Sequence, residues 1–320
     1  MKVFVTRRIP QEAIDILQKH FEVDIFESDA PITKEEILKR AKDCDGLLCL
    51  LTDTIDSEIM EVTGIKAIAN YAVGYENIEI DEATKRKIPV TNTPGVLTEA
   101  TADLTFALIL AISRRIVEAD KYLRAGKWIG WGPLLLLGGD FVGKTLGIIG
   151  FGRIGKAVAR RAKGFGMNII YVDPISHPDI EVELDAHKVS FTEILRESDY
   201  ITLHTPLTPE THLMIGKKEI EQMKPTAYLV NTSRGKIINE KDLIAALQNK
   251  TIAGAGLDVF FDEPEVNPEL LKLDNVVIVP HIGSASLETR TNMAILAANG
   301  LVEALSGEKP TNVVNPEIYK

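Results

Sequence analysis

The sequence predicts an α/β protein made of two doubly wound parallel sheets. Short apolar runs alternate with longer polar-periodic segments from end to end, which is the pattern of strands joined by crossover helices. A long apolar segment and a glycine- and tryptophan-rich loop interrupt this alternation and divide it into two series. The length of 320 residues is also that of about two domains.

The first series contains five predicted strands, at Val3–Thr6, Val23–Phe26, Gly46–Leu51, Ala67–Ala72 and Val90–Asn92. Segments with helical periodicity lie between them, such as Glu12–His20 and Lys34–Ala41. The following segment, Thr98–Leu123, contains neither glycine nor proline and is predicted to be one extended helix. Gly126–Gly143, which holds both tryptophans, is predicted to be an unusually apolar loop.

The second series contains six predicted strands, at Leu146–Gly150, Asn168–Asp173, Tyr200–His204, Ala227–Thr232, Gly256–Val259 and Val276–Pro280. A final helix is predicted at Leu287–Leu305. Ligands of doubly wound sheets bind beyond the carboxyl ends of the strands, so residues at these ends are the first candidates for a site.

Composition excludes several classes of partner. The net charge of −10 disfavours nucleic acid and acidic membrane surfaces, so an anionic substrate would depend on local cations. The two cysteines, Cys44 and Cys49, predict neither a disulfide nor a metal site. No apolar run approaches the ~18 residues of a membrane span, and no signal-peptide pattern is visible, so we expect a cytoplasmic protein.

One glycine-rich turn has the pattern of a dinucleotide site, Gly150-Phe151-Gly152-Arg153-Ile154-Gly155. The first glycine permits the turn, the second lets the backbone approach a pyrophosphate, and the third lets helix pack on strand. The N–H groups at the start of the next helix would face the phosphates. Asp173, at the end of the next strand, would bind the adenosine ribose hydroxyls and repel a 2′-phosphate, which favours NAD over NADP. The alternative is a turn that serves packing alone.

Three later residues could carry chemistry. Arg234 follows a predicted strand, where its guanidinium could grip a carboxylate or form a surface ion pair. Glu263 lies in a turn before Pro264, and His281 ends another strand as either a catalytic or a core residue. Together they fit reduction of a 2-keto acid by NADH: Arg234 holds the carboxylate, His281 protonates the carbonyl oxygen, and Glu263 orients the imidazole and favours its charged form.

With these motifs assembled, the chain resembles the D-isomer-specific 2-hydroxyacid dehydrogenases over essentially its whole length, with the residue order Arg, Glu, His. The motifs that carry the resemblance are Val73–Ile78, Gly150–Gly155 with Asp173, Asn231–Gly235, Gly256–Val259 with Glu263-Pro264, and Pro280–Ala285. Gly46–Leu51 and Trp128-x-x-Trp131-x-Pro133 resemble the glyoxylate/hydroxypyruvate reductase branch of this family.

The resemblance implies a Rossmann nucleotide-binding domain, residues 99–288, inserted into a flavodoxin-like substrate domain formed by residues 1–98 and 289–320. It implies that the substrate contacts Val73, Gly74, Arg234, His281, Ser284 and Trp131. The cofactor contacts that it implies are Thr101, Gly150, Gly152, Arg153, Ile154, Gly155, Asp173, Thr205, Pro206, Thr232, Ser233, Asp258, His281 and Gly283. No metal site is implied.

The resemblance also implies a homodimer formed through the nucleotide-binding domains. In this branch the tryptophan that matches Trp131 reaches the partner's active site; simple packing of the loop is the alternative. Several NADPH-dependent reductases of the branch carry Ser, Thr or Arg where this chain has Asp173-Pro174, so NADH is the expected cofactor.

Rival functions within the same family are a short 3-phosphoglycerate dehydrogenase, a formate dehydrogenase and a phosphite oxidiser. The phosphate-bearing substrate of a phosphoglycerate dehydrogenase would need extra cations near Tyr71–Asn77, and this chain has none in that stretch. A formate dehydrogenase pairs its active-site histidine with an amide side chain, where this chain offers Glu263. A rival of another class is a non-enzymatic NAD sensor resembling the transcriptional co-repressors of this fold.

Overall fold

The computed structural model describes all residues, 1–320, and divides into two compact units. The first unit comprises Met1–Leu97 and Ser284–Lys320, and the second comprises Thr98–Gly283. Each unit is built on one parallel sheet, of five and seven strands respectively, which confirms the predicted fold class.

The five strands of the first unit are β1 (Lys2–Val5), β2 (Glu22–Ile25), β3 (Gly46–Cys49), β4 (Ala67–Asn70) and β5 (Val90–Thr91). The helices between them are α1 (Gln11–Gln18), α2 (Lys34–Ala41), α3 (Ser57–Thr63) and α4 (Ile80–Lys85). The sheet order β2-β1-β3-β4-β5 is that of flavodoxin-like folds.

Burial explains the sequence pattern of this unit. Every residue of β3 and β4 is buried, as expected for parallel strands covered by helices on both faces. The predicted C-terminal helix is confirmed at Leu287–Leu305, and it packs on α1 and β4. Its first turn is capped by Ser286, whose side chain accepts a hydrogen bond from the Thr289 N–H.

The seven strands of the second unit are β6 (Thr145–Ile149), β7 (Asn168–Val172), β8 (Ala186–Lys188), β9 (Tyr200–Leu203), β10 (Tyr228–Asn231), β11 (Gly254–Leu257) and β12 (Val276–Ile278). Its helices are α5 (Thr98–Ser113), α6 (Ile116–Arg124), α7 (Arg153–Gly164), α8 (Pro178–Leu184), α9 (Phe191–Glu197), α10 (Lys217–Ile220) and α11 (Glu240–Gln248). The order β12-β11-β10-β9-β6-β7-β8 places the first strand of the unit, β6, at the point where the order reverses.

The prediction of one continuous helix over Thr98–Leu123 is wrong, because the structure has α5 and α6 in its place. Arg115 adopts a left-handed conformation, with φ of 53°, which ends the helical path. The chain then continues into α6, where Arg115 forms an ion pair with Glu118 at 2.7 Å. The last turn of α5 is capped from a distance: the Gly139 N–H donates to the Ser113 carbonyl at 3.0 Å.

The strand β8 was not predicted either. It is three residues long, and only Ala186 is buried in it, so it has no apolar run that a sequence pattern could reveal. No helix of the chain combines the length and the apolarity needed to cross a membrane.

Candidate active site

The glycine-rich turn begins directly after the buried strand β6. Gly150 has φ of +92°, a conformation that L-residues rarely adopt. A Cβ at this position would lie 2.7 Å from the His204 carbonyl carbon, so the turn runs against the end of the neighbouring strand β9. Any other residue at position 150 would therefore be strained and would push the two strand ends apart.

The other two glycines of the turn have different surroundings. A Cβ on Gly155 would collide with the Gly150 carbonyl oxygen, so only glycine lets α7 start this close to the turn. A Cβ on Gly152 would meet nothing within 4 Å. Gly152, which caps α7 without a side-chain hydrogen bond, thus leaves the N-terminus of that helix open to a phosphate group.

Asp173 follows β7, and two backbone groups hold its carboxylate. The Phe151 N–H donates to Oδ2 at 2.7 Å, and the Ile175 N–H donates to Oδ1 at 2.9 Å. The His177 Nε2 atom lies 3.7 Å from Oδ1. The carboxylate is therefore fixed beside the glycine turn, where the adenosine ribose of a dinucleotide would lie.

A pocket of about 190 Å³ lies next to this aspartate. It is lined by Lys156, Ser176, His177, Pro178, Asp179 and Ile180. Lys156 and Ser176 could bind a phosphate group in this pocket. The negative charge of the neighbouring Asp173, however, would repel the negative charge of that phosphate.

The ends of β9 and β10 bring further predicted cofactor residues to the same edge of the sheet. Thr205 lies against the turn, since a Cβ on Gly150 would be 2.8 Å from its backbone nitrogen. Thr232 shares a hydrogen bond of 2.9 Å with Thr105, which connects the end of β10 to α5. Pro206 is exposed beside Thr205.

His204 also lies at this edge, but it is unsuited to proton transfer. Burial lowers the pKa of its imidazole to about 3, so the ring is neutral at physiological pH.

Arg234 follows β10 in a loop stabilised by the Asn231 side chain. Asn231 Nδ2 donates to the Arg234 carbonyl at 2.9 Å, and its Oδ1 accepts from the Ser233 N–H at 3.0 Å. The next residue packs so closely on the end of β11 that a Cβ on Gly235 would overlap the Phe260 carbonyl. These contacts fix the backbone of Arg234 at the carboxyl edge of the sheet.

The structure brings His281 and Glu263 together. His281 Nδ1 donates to Glu263 Oε2 at 2.7 Å, and the Phe260 N–H donates to the other carboxylate oxygen at 2.9 Å. Burial alone would raise the pKa of Glu263, but the hydrogen bond and charge of His281, the Phe260 N–H and the charge of Arg234 hold that pKa below its usual value. An ionised Glu263 thus fixes the imidazole and leaves Nε2 available for chemistry.

Asp258, after β11, supports the backbone next to that histidine. Its two oxygens accept from the Ile282 N–H at 2.6 Å and the Gly283 N–H at 2.8 Å. Burial raises the pKa of this carboxyl group to about 6. A Cβ on Gly283 would lie 3.5 Å from Thr101, so these predicted cofactor residues form one group at the start of α5.

The remaining residues predicted to contact the substrate are Val73, Gly74, Ser284 and Trp131. Val73 and Gly74 lie in the first unit, in the loop after β4, and their carbonyls accept from the side chains of Asn92 and Asn70. Sequence reasoning missed these two asparagines, although Asn92 ends the predicted strand Val90–Asn92 and Asn70 lies within the predicted strand Ala67–Ala72. Ser284 begins the second segment of the first unit. Trp131 lies in the loop before β6 and is 85% exposed.

Comparison with known proteins agrees with this geometry. Residues 106–283 match the family model described as "D-isomer specific 2-hydroxyacid dehydrogenase, NAD binding domain". The chain belongs to the D-isomer-specific 2-hydroxyacid dehydrogenase family. This match confirms the resemblance inferred from the sequence motifs. The second unit of the chain is an NAD(P)-binding domain.

Full-length relatives narrow the comparison. A glyoxylate reductase of Korarchaeum cryptofilum is 54% identical, with 100% of this chain and 97% of the relative covered. A crystal structure of the TT0316 protein from Thermus thermophilus has a TM-score of 0.94 and 45% identity, covering 98% of this chain and 100% of that one. An NADPH-dependent glyoxylate/hydroxypyruvate reductase from Sinorhizobium meliloti, in complex with NADP and malonate, has a TM-score of 0.84 and 32% identity, covering 98% and 97%.

Proposed function

We propose that this dehydrogenase reduces glyoxylate, and related small 2-keto acids such as hydroxypyruvate, with NADH. The observation that carries the proposal is the Glu263–His281 pair at 2.7 Å, in the same unit as the glycine turn and Arg234. A cofactor site beside an oriented imidazole and a cation is what reduction of a carbonyl next to a carboxylate requires.

The glycine turn fits a dinucleotide, because Gly152 leaves an open face at the start of α7. Thr101, Arg153, Ile154, Thr205, Pro206, Thr232, Ser233, Asp258 and Gly283 would complete this site. When bound, NADH supplies the hydride that reaches the carbonyl carbon of the substrate.

His281 would supply the proton. Its Nε2–H would donate to the carbonyl oxygen, and the oxygen would take that proton as negative charge develops on it. Glu263 holds the Nδ1–H, so the ring keeps the orientation and the proton that this transfer needs. The histidine is left neutral and regains a proton from solvent before the next cycle.

Arg234 would bind the substrate carboxylate through two N–H groups and, by its charge, polarise the adjacent carbonyl. The N–H groups of Val73 and Gly74, with Ser284, would complete the binding of the carboxylate. In this proposal residues 1–98 and 289–320 form the substrate domain, and residues 99–288 form the nucleotide domain.

The preference for NADH over NADPH rests on Asp173. Because two N–H groups fix its carboxylate, the side chain cannot rotate away from a 2′-phosphate without losing both bonds. The related reductase from Sinorhizobium meliloti is named as NADPH-dependent, and assays with both cofactors test the preference of this chain.

We further propose a homodimer formed through the nucleotide domains. The loop before β6 exposes Trp128, Ile129, Trp131, Leu134 and Leu137, each more than half exposed. A patch of this kind on one loop is typical of a protein interface. In a dimer Trp131 would contact the substrate bound by the partner.

A panel of 2-keto acids, assayed with NADH and with NADPH, tests the function. We expect turnover of glyoxylate and hydroxypyruvate, with D-glycerate as the product from hydroxypyruvate and with NADH preferred. L-Glycerate as the product would contradict the proposed function, since the family is specific for D-isomers.

A further inference from the structure

The loop after β4 has three successive carbonyl oxygens, and each accepts one hydrogen bond. The bonds run from Thr93 N to Ala72 O (2.8 Å), from Asn92 Nδ2 to Val73 O (2.7 Å) and from Asn70 Nδ2 to Gly74 O (2.7 Å). Two of the three donors are side-chain amides of asparagines that follow or end neighbouring strands. The peptide groups of this loop are therefore held one by one.

Fixing a carbonyl also fixes the next N–H group. In a planar trans peptide the C=O of one residue and the N–H of the following residue point in opposite directions. The three bonds thus orient the N–H groups of Val73, Gly74 and Tyr75 away from their donors. None of these three N–H groups donates to an acceptor in the protein, and all three residues are at least partly exposed.

The asparagines are themselves held in place. The Asn92 backbone is paired with Asn312 on both sides: its N–H donates to the Asn312 carbonyl at 3.2 Å, and its carbonyl accepts from Asn312 Nδ2 at 2.6 Å. Asn70 is fully buried and exchanges hydrogen bonds with the Asn77 side chain. Asn77 Nδ2 also donates to the Leu50 carbonyl at 3.0 Å. The two donors therefore have little freedom to follow a moving loop.

We propose that Asn92 and Asn70 are positioning residues, which preorganise the N–H groups of Gly74 and Tyr75 to bind the substrate carboxylate. This inference rests on the proposed function, since it concerns the loop proposed to bind that carboxylate. An N–H group that is already oriented forms a charge-assisted hydrogen bond without the entropic cost of first ordering its peptide. Of the two asparagines, Asn92 should have the larger effect on substrate binding. It orients the N–H group of Gly74, which is one of the two N–H groups proposed above to bind the carboxylate.

Substitution of Asn92 tests the proposal. Asn92→Asp keeps the shape of the side chain but replaces the donor with a carboxylate that repels the Val73 carbonyl, and Asn92→Ala removes the donor altogether. Both variants should raise the KM for glyoxylate and the Kd of oxamate about tenfold, close to the value of one hydrogen bond. The Kd of NADH should stay the same, and kcat should fall less than the affinity for oxamate.

Asn315→Ala is the matched control. Asn315 is also a buried asparagine of the first unit, and its side chain accepts from the Val90 N–H and donates to the Ile88 carbonyl, both at 2.9 Å. This variant should lower the Tm without changing the KM for glyoxylate or the Kd of oxamate. A loss of oxamate affinity in the control as large as in the Asn92 variants would mean that the Asn92 effect is general destabilisation.

Oxamate binding, measured by calorimetry on the NADH-saturated protein, separates the two proposals because it needs no turnover. Equal oxamate affinity in wild type and Asn92→Asp would overturn the positioning role even if glyoxylate is reduced. Weaker binding in the variant, with no keto acid reduced by the wild type, would overturn the proposed function and support the positioning role. A wild type that binds no oxamate would overturn both.

Discussion

The cofactor preference should depend on one carboxylate, that of Asp173. It lies at the end of β7 beside the glycine turn, with each oxygen bound to a backbone N–H. The substitution Asp173→Ala removes the acceptor for the ribose hydroxyls of NADH. It also removes the charge that would face the 2′-phosphate of NADPH.

The expected change in cofactor preference follows from these two effects. For NADH, a hydrogen bond to a charged group is worth ~1.5–3 kcal/mol. For NADPH, a dianionic phosphate ~5 Å from a carboxylate is repelled by ~1.7 kcal/mol even at the dielectric constant of water. The sum, about 3.2–4.7 kcal/mol, corresponds to a change of about 10²–10³ in the ratio of kcat/KM for NADPH to that for NADH.

The assay varies the concentration of each cofactor at saturating glyoxylate. The quantity compared between proteins is the ratio of kcat/KM for NADPH to kcat/KM for NADH, rather than either kcat/KM alone. This matters because Asp173→Ala also leaves the Phe151 and Ile175 N–H groups without acceptors, which destabilises the protein whichever cofactor is bound. Asp179→Ala is the control, because it removes an exposed carboxylate that lines the 190 Å³ pocket next to Asp173. A ratio that does not change, or that changes no more than in the control, would refute the assignment of Asp173.

Three further substitutions test the remaining parts of the site. Arg234→Ala should lower kcat/KM for glyoxylate by about 10² or more, since charged hydrogen bonds worth ~1.5–3 kcal/mol each are lost; fluorescence titration should show unchanged NADH binding, and a parallel loss would argue against a substrate clamp. Glu263→Gln should lower kcat by about 10² by releasing the imidazole. Because the pKa of Glu263 is held below its usual 4.5, its carboxylate stabilises the fold above that pH, and this contribution is lost as the pH falls through the folded-state pKa; a Tm gap to wild type that persists unchanged at low pH would contradict this. Gly155→Ala should weaken NADH binding and lower the Tm because its Cβ meets the Gly150 carbonyl, whereas Gly164→Ala, which meets nothing within 4 Å, should change neither appreciably; equal effects in the two variants would disprove the packing argument.

Much of the fold could be predicted because strong local signals agree with the tertiary structure. The predicted helix Lys34–Ala41 has these bounds in the structure, where Thr33 caps its first turn. The C-terminal helix Leu287–Leu305 likewise begins after a capping serine. In both cases a capping side chain and helical periodicity point to the same boundary.

The features that could not be predicted depend on contacts between residues far apart in the sequence, which no local sequence pattern reveals. The break between α5 and α6 depends on a left-handed Arg115 and on a hydrogen bond from Gly139, a residue far along the chain. The roles of Asn70 and Asn92 likewise depend on which strands are neighbours in the sheet. Arg234, Glu263 and His281 could be proposed from sequence because each follows an apolar strand, but the 2.7 Å contact of His281 with Glu263 could be measured only in the structure.

The role of His281 in proton transfer is tested by comparing wild type with His281→Gln in glyoxylate-dependent oxidation of NADH. We expect turnover by the wild type and a rate about 10²–10⁴ lower in the variant, which lacks the proton donor. NADH binding should fall far less than the rate. No oxidation by the wild type with any 2-keto acid, or equal rates in the two proteins, would contradict the central claim that the Glu263–His281 pair carries out proton transfer in a 2-keto acid reductase.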